Sequence, residues 1–378
     1  MADPTRLEAP PLPTASASEF VATFAAILAL IGGLFLLDVF LARIDREESR
    51  AHAANLYADG RSLLAARHAR DAADRFASAV ALDRTNVAFQ VGLAEAMLAD
   101  GRPREAEKTL QGVLDHAETD GAANLLMARV LTRQGRPNEA KQFYHRAIYG
   151  RWGSDSIAER RAVRLELIAL LDRQHARREL LAELLPMQAE TPDSGELRRR
   201  LGLLFIRAGA PDRGAEILRA ILHDSPNDVE ARAGLGEAAL AEGDFGTARS
   251  NLAAAARRRS GDSTIARRLQ LADSAQAMDP MQRGIGRRVR MERSRRLLAL
   301  TVAVAQQCAR DASNPAPTLA DSAMRLLADS ARTRGQEPET DTLLELAAGL
   351  WATTDAACTR DGSVGTEALA LVQAKLSR

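Results

Sequence analysis

The chain has 378 residues, of which 46% are hydrophobic, 27% charged and 4% aromatic, and its formal net charge is +1. That length allows two or three packed domains, and the near balance of charge excludes a protein whose whole surface is a polyelectrolyte. Alanine, leucine, arginine and glutamate dominate while β-branched and aromatic residues are sparse, so an all-α fold is expected.

Residues 1–18 contain Pro4, Pro10, Pro11 and Pro13 among small polar residues and read as a disordered tail. Phe20 to Leu37 is then unbroken by any charge, and after Asp38 it continues as Val39-Phe40-Leu41-Ala42. At about 1.5 Å per residue, roughly 20 apolar residues cross a hydrocarbon core of about 30 Å, so residues 19–44 are expected to be a transmembrane helix in contact with the lipid bilayer. A cleaved signal peptide would need a basic start and a small-residue cleavage site, but only Arg6 precedes the span and Leu41-Ala42-Arg43-Ile44-Asp45 is a poor site. Ala25, Ala29 and Gly33 form a small-residue stripe, a common feature of membrane helices. Arg43, Arg46 and Arg50 after the span favour a cytoplasmic soluble part. A disulfide between the two cysteines, Cys308 and Cys358, would favour the periplasm, so the side stays open. Lysine occurs only at Lys108, Lys141 and Lys375, and this arginine- and alanine-rich usage is associated with GC-rich bacterial genomes, so the membrane is expected to be a bacterial inner membrane. No glycine or proline falls between Ile44 and Tyr57, which lets the membrane helix run on into the soluble part.

From there a pattern recurs. A small residue closes a turn at Ala72, Ala106, Ala140, Gly214 and Ala248, with Leu180 as the bulky exception, at intervals of 34, 34, 40, 34 and 34 residues. Four residues later stand Phe76, Leu110, Tyr144, Leu184, Leu218 and Leu252, and three further on Ala79, Val113, Ala147, Met187, Ile221 and Ala255. Twelve residues before the small residue stand Gly60, Ala94, Ala128, Ile168, Gly202 and Gly236. A helix, turn, helix unit of 34 residues with this register resembles the tetratricopeptide repeat, and the resemblance covers six repeats over roughly residues 53–262. Two departures are that the proline after the second helix occurs only as Pro192 and Pro226, and that the early tryptophan of the motif is absent.

The resemblance implies a superhelical α-solenoid whose concave face binds other proteins. It carries the groove over to Tyr57, Arg61, Glu95, Arg129, Arg199, Glu237 and Arg267, a mixture of charges suited to a polar peptide or protein surface. The repeated lysine and asparagine set with which family members clamp a chaperone's C-terminal carboxylate is missing.

The six extra residues between the third and fourth repeats surround Trp152, which either anchors a partner or folds back over the repeats. Thr264 to Met278 reads as a capping helix that ends at Asp279-Pro280, so residues 45–278 form the repeat domain. Residues 279–378 abandon the period and read as a helical bundle of Gly284–Arg310, Thr318–Arg332, Thr340–Thr359 and Thr366–Ser377.

No catalytic, cofactor or metal constellation emerges. The six histidines are scattered, and no HExxH, Walker loop or GxSxG elbow is present. Gly234-Leu235-Gly236-Glu237-Ala238-Ala239 spells a dinucleotide pattern, but inside a predicted helix where Gly236 already serves packing. The sharper signal is charge. Arg287, Arg288, Arg290, Arg293, Arg295 and Arg296 crowd together, while Asp311 to Ala370 is acidic. Internal pairing of the two is the first expectation, and an anionic partner is the functional alternative. Nucleic acid is the weakest such partner, because no aromatic residues are interleaved for stacking. The expected function is a membrane-anchored protein-binding adaptor that is not an enzyme and has no small-molecule substrate. An assembly factor or chaperone for envelope or respiratory complexes is the second reading, and an enzyme with its site in the C-terminal bundle the third.

Overall fold

The continuous apolar and alanine-rich stretch from Ala17 to Ala65 forms one 49-residue helix, α1, in the computed structural model, which describes residues 17–153, 156–190, 195–312, 317–332, 340–354 and 362–378. Most of the expected N-terminal tail, residues 1–16, lies outside the described residues. An 18-residue window of α1 has a mean hydropathy of 2.3 and no part of it buried, and large side chains from Phe24 to Ile44 are exposed. Among the described residues the first buried side chain is Ala53. The same helix is therefore an exposed apolar rod at its start and a packed element at its end.

The chain divides into two compact units, Met1–Val163 and Arg164–Arg378. In the first, α1 pairs with α2 (Ala69–Leu82), α3 (Val87–Ala99) with α4 (Pro103–Leu114), and α5 (Gly121–Arg133) with α6 (Pro137–Tyr149). Helix α7 (Ser156–Arg173) carries the division between the units. The second unit continues with α8 (Arg177–Glu190), α9 (Gly195–Arg207), α10 (Pro211–Asp224), α11 (Val229–Glu242), α12 (Phe245–Arg258) and α13 (Ser263–Met278). It ends with α14 (Arg287–Ala312), α15 (Pro317–Arg332), α16 (Thr340–Thr353) and α17 (Val364–Leu376). The helix expected over Thr340–Thr359 stops at Thr353, and residues 355–361 lie outside the described residues.

All four positions of the sequence register are buried in every one of the six hairpins. The reason is a close approach within each pair. A Cβ added at Gly60 would lie 2.7 Å from the Phe76 ring, and one at Gly236 would lie 2.5 Å from Leu252. In the fourth hairpin the bulky Ile168 and Leu180 are both buried, and a buried ion pair at 2.9 Å joins Arg164 of α7 to Glu183 of α8.

The turns share a device of their own. Gly101, Gly135, Gly209 and Gly243 have φ between 75° and 85°, and the corresponding positions in the first and fourth hairpins are Arg67 (φ 64°) and His175 (φ 54°). Each closes its helix with paired backbone bonds, such as Gly135 N–H to Thr132 O and Arg136 N–H to Leu131 O, which satisfies the terminal carbonyls. Proline follows as the first residue of α4, α6 and α10, where its missing N–H costs nothing.

Two outcomes are expected for stability. Gly236→Ala is expected to lose about 1–3 kcal/mol by forcing Leu252 aside, whereas Gly112→Ala, at an exposed helical site with nothing within 4 Å, gains about 0.5–1 kcal/mol. Denaturant midpoints of the two variants measure the contrast. His175→Gly removes left-handed strain at an exposed residue and is expected to raise stability by about 0.5–1 kcal/mol, read as an upward shift in melting temperature.

Candidate functional site: the first-helix faces

In the first unit the face of α1, α3 and α5 carries four of the expected groove residues. Arg61 of α1 donates to Glu95 of α3 at 2.8 Å, so two of them tie neighbouring hairpins together. Arg129 is exposed on α5. Tyr57 is half-buried, its ring 5.4 Å from that of Phe76 and 5.2 Å from that of Phe89. Tyr57 thus serves the seam between hairpins.

Trp152 takes the second of its two expected places. Its indole N–H donates to Ala147 O at 2.7 Å, and the ring covers Gly121, where any Cβ would collide with it. The loop also forms a parallel bridge between Asp120 and Arg151 that periodicity gave no sign of.

In the second unit Arg199 of α9 reaches the start of α11, meeting Asp228 at 2.9 Å and Glu230 at 3.0 Å. Glu237 stands 3.7 Å from Arg268. Arg267 is engaged by α17, with Glu367 at 2.8 Å and Gly362 O at 3.0 Å. Helix α17 lies along α13 in the same direction, with Lys375 ion-paired to the buried Asp279 at 2.8 Å at the far end. Ala368, Leu369 and Val372 seal the contact in a core shared with α11 to α16. Sequence periodicity placed α17 in a terminal bundle but did not show that it would cover Arg267. What remains open beside it is an apolar hollow of about 720 Å³ lined by Ile206, Leu240, Leu271 and Leu371 and edged by Arg207 and Glu237.

A second hollow of about 850 Å³ lies over the turns of α7, α9 and α11, with Asp172, His175, Arg207, Asp212, Glu242 and Arg378 in its wall. Burial, and then the neighbouring Asp212 carboxyl, push the Glu242 carboxyl above its ordinary range. Elsewhere ion pairing dominates. The Gln134 amide and the Arg136 guanidinium hold Glu107 below its ordinary range against the opposing effect of burial.

The arginine cluster divides. Arg293 is spent on structure, its Nη1 donating to Gln276 O, Asp279 O and Gln282 Oε1 at the α13–α14 connection. Arg295 is half-buried. Arg287, Arg288, Arg290 and Arg296 are exposed, and among the described residues none of them forms an ion pair. Six acids of the segment, Asp311, Asp329, Glu337, Glu339, Asp355 and Asp361, have side chains outside the described residues, so the expected pairing extends here only to the described acids, none of which meets these four. Glu367 of that segment pairs instead with Arg267. Cys308 is buried, and Cys358, its expected disulfide partner, lies outside the described residues. The described residues contain no group of three His, Cys, Asp or Glu side chains that could hold a metal ion. Gly234 and Gly236, which begin the dinucleotide-like pattern, sit inside α11 against Leu203, Leu218 and Leu252.

Helical hairpins in one repeated register, each burying its apolar stripe against a neighbour, define a helical-repeat protein that presents side chains for binding. A tetratricopeptide-repeat family model matches residues 63–120, 98–149 and 205–272, so the chain carries tetratricopeptide repeats over those segments. The chain matches no curated protein. Among solved structures it is similar to YrrB, described as a tetratricopeptide-repeat protein with an unusual peptide-binding site, at 15% identity and a TM-score of 0.42, covering 51% of this chain and 96% of that one. It is also similar to the C-terminal part of a repeat protein of Cytophaga hutchinsonii, at 12% identity and a TM-score of 0.45 over 71% and 99% of the two chains. A third similarity is to pilF of Pseudomonas aeruginosa, at 15% identity and a TM-score of 0.41 over 59% and 97%.

The raised Glu242 carboxyl gives a pH dependence with a definite sign. Its folded form holds a proton more tightly than the unfolded chain, so its contribution to stability is complete at low pH and declines as pH rises through the raised value. Glu242→Gln is expected to melt above the wild type at about pH 8, with the difference closing toward about pH 4, as thermal melts across that range would record.

Proposed function

We propose that the chain is a membrane-anchored adaptor that holds other proteins close to a bilayer through its first-helix faces. The observation that carries this reading is that α1 is a single helix, exposed and apolar at one end and the first helix of the first hairpin at the other. A flexible linker would let the repeats wander, whereas a continuous helix fixes the binding face relative to the membrane. The binding determinants are the exposed Arg61 and Arg129 and the half-buried Glu95 of the first unit, with Arg199 and Glu237 of the second. The mixed charges favour a polar protein segment, and no part of this reading requires chemistry.

The soluble part faces an oxidising compartment such as the periplasm of a bacterial inner membrane. This reading takes Cys308 and Cys358 to be joined in a disulfide, a bond that persists in an oxidising compartment. The arginines after the span argue the other way, but long domains cross a membrane largely regardless of flanking charge.

The test uses intact membranes. A photocrosslinker placed at Arg129 is expected to trap a discrete protein adduct, and Glu95→Arg is expected to lower its yield by about tenfold through charge mismatch. A crosslinker at the exposed Arg104 on a second helix serves as the control. Equal trapping from both positions would sink the groove assignment, and release of a shortened chain by carbonate washing would sink the anchor. Thiol labelling without reductant is expected to fail at both cysteines, and ready labelling would put the soluble part in the cytoplasm.

A further inference from the structure

The connection into α14 opens on a run of arginines, whereas many helices of the chain, though not all, open with an acid. Helices α2, α4, α6 and α10 each carry an acid in the first turn, namely Asp71, Glu105, Glu139 and Asp212, where it complements the positive end of the helix dipole. The first turn of α14 has no acid and begins Arg287-Arg288-Val289-Arg290. All four of these residues are exposed, although they lie on different sides of the helix, so this turn protrudes from the fold. Across residues 281–290 only Gln282 and Ile285 are even partly shielded, and both Met281 and Val289 stand among the exposed large apolar side chains. Three guanidinium groups at the positive end of a helix repel one another and the dipole, and no packing among the described residues accounts for them.

We propose that this knob, residues 281–290, is a second membrane-contact site, in which Arg287, Arg288 and Arg290 bind the phosphate groups of anionic lipids while Met281 and Val289 enter the interface. A guanidinium fork matches a phosphate with two parallel hydrogen bonds, and its apolar stem tolerates the acyl boundary. Basic and apolar side chains side by side suit a lipid interface. A single-stranded nucleic acid would call for stacking rings, and the segment has none. The inference rests on the anchored reading of α1, because tethering keeps the bilayer at high effective concentration and lets a weak contact count.

The experiment uses the full chain in lipid nanodiscs, either neutral phosphatidylcholine or the same lipid with about 30 mol% phosphatidylglycerol. Backbone amide exchange over residues 286–290 is the readout, since the first amides of a helix lack intrahelical partners and exchange fast unless something covers them. Exchange is expected to slow by about tenfold in the anionic discs and to recover at about 0.5 M salt. The triple variant Arg287→Glu, Arg288→Glu, Arg290→Glu is expected to lose the effect while its melting temperature does not fall, because these exposed side chains pair with no described residue and acids suit the first turn of a helix. Equal exchange in both discs would overturn the proposal. Slowing in neutral discs on adding about 10 mM inorganic phosphate would reassign the site to a free anion. A chain that fails to enter either disc would refute the anchor alone. Co-sedimentation with anionic but not neutral vesicles would then uphold the knob, and no sedimentation with either would overturn it.

Discussion

The distance between the two helices of each hairpin is the constraint on which the rest of the architecture depends. Gly60 faces Phe76, Gly202 faces Leu218 and Gly236 faces Leu252, each glycine approached so closely that a methyl group would force a shift. A small residue on one helix and a large one sixteen positions on lets the backbones close while a bulky side chain fills the space between. Once that approach is set, the turn must reverse the chain within a few residues, and the length of the unit is fixed. The fourth hairpin shows what happens when the rule is relaxed. With Ile168 and Leu180 at the two small positions, both large side chains are buried and the Arg164–Glu183 ion pair lies inside the same hairpin.

The turns impose a second, independent repetition. Left-handed backbone recurs at residues 67, 101, 135, 175, 209 and 243, in the same intervals as the packing register. Glycine fills four of these positions, so the conformation is set by the need to end one helix and begin the next, and Arg67 and His175 accept it at a cost. Electrostatics repeats with the same period. Arg136 pairs with Glu139 at 2.6 Å and reaches back to Glu107 at 2.8 Å. Exposed pairs of this kind add little to stability, but they reward one alignment of neighbouring hairpins over a slipped one.

The repeat register was legible in the sequence because it is a local rule repeated six times, and each of its positions is buried. The long first helix was legible too, since nothing between Ile44 and Tyr57 could break it. The groove was less so. Its side chains are set by contacts between elements far apart in sequence, and periodicity gives no view of those. Tyr57 occupies a groove position in the register, yet two neighbouring aromatic rings claim it. Arg267 occupies another, yet Glu367 of α17, a hundred residues away, claims it. Charge counting led to the expectation of internal pairing of the arginine cluster with the acidic segment but could not distinguish Arg293, which caps carbonyl groups of a connection, from Arg287, which forms no ion pair among the described residues. The apolar residues of α17 did carry a usable signal. Leu369 and Val372 at helical spacing required a partner face, although nothing in their own segment said it would be α13.

In the proposed anchored arrangement, helix α1 satisfies two solvents with one backbone. Up to Ile44 its large apolar side chains are exposed, which in water would be a liability and in hydrocarbon is a requirement. From Ala53 onward it obeys the packing register of a hairpin, with Leu56 buried and Gly60 against Phe76. Between the two lie residues 45–52, charged or small and helical throughout, about 12 Å of rod at 1.5 Å per residue. In the proposed arrangement that length clears a headgroup layer of about 5–7 Å before the first hairpin begins to pack. Each residue added there would turn the binding face by about 100° about the helix axis and move it outward by about 1.5 Å. The short charged segment therefore sets both the height and the heading of the first hairpin, and its uninterrupted helicity makes those two quantities properties of the sequence.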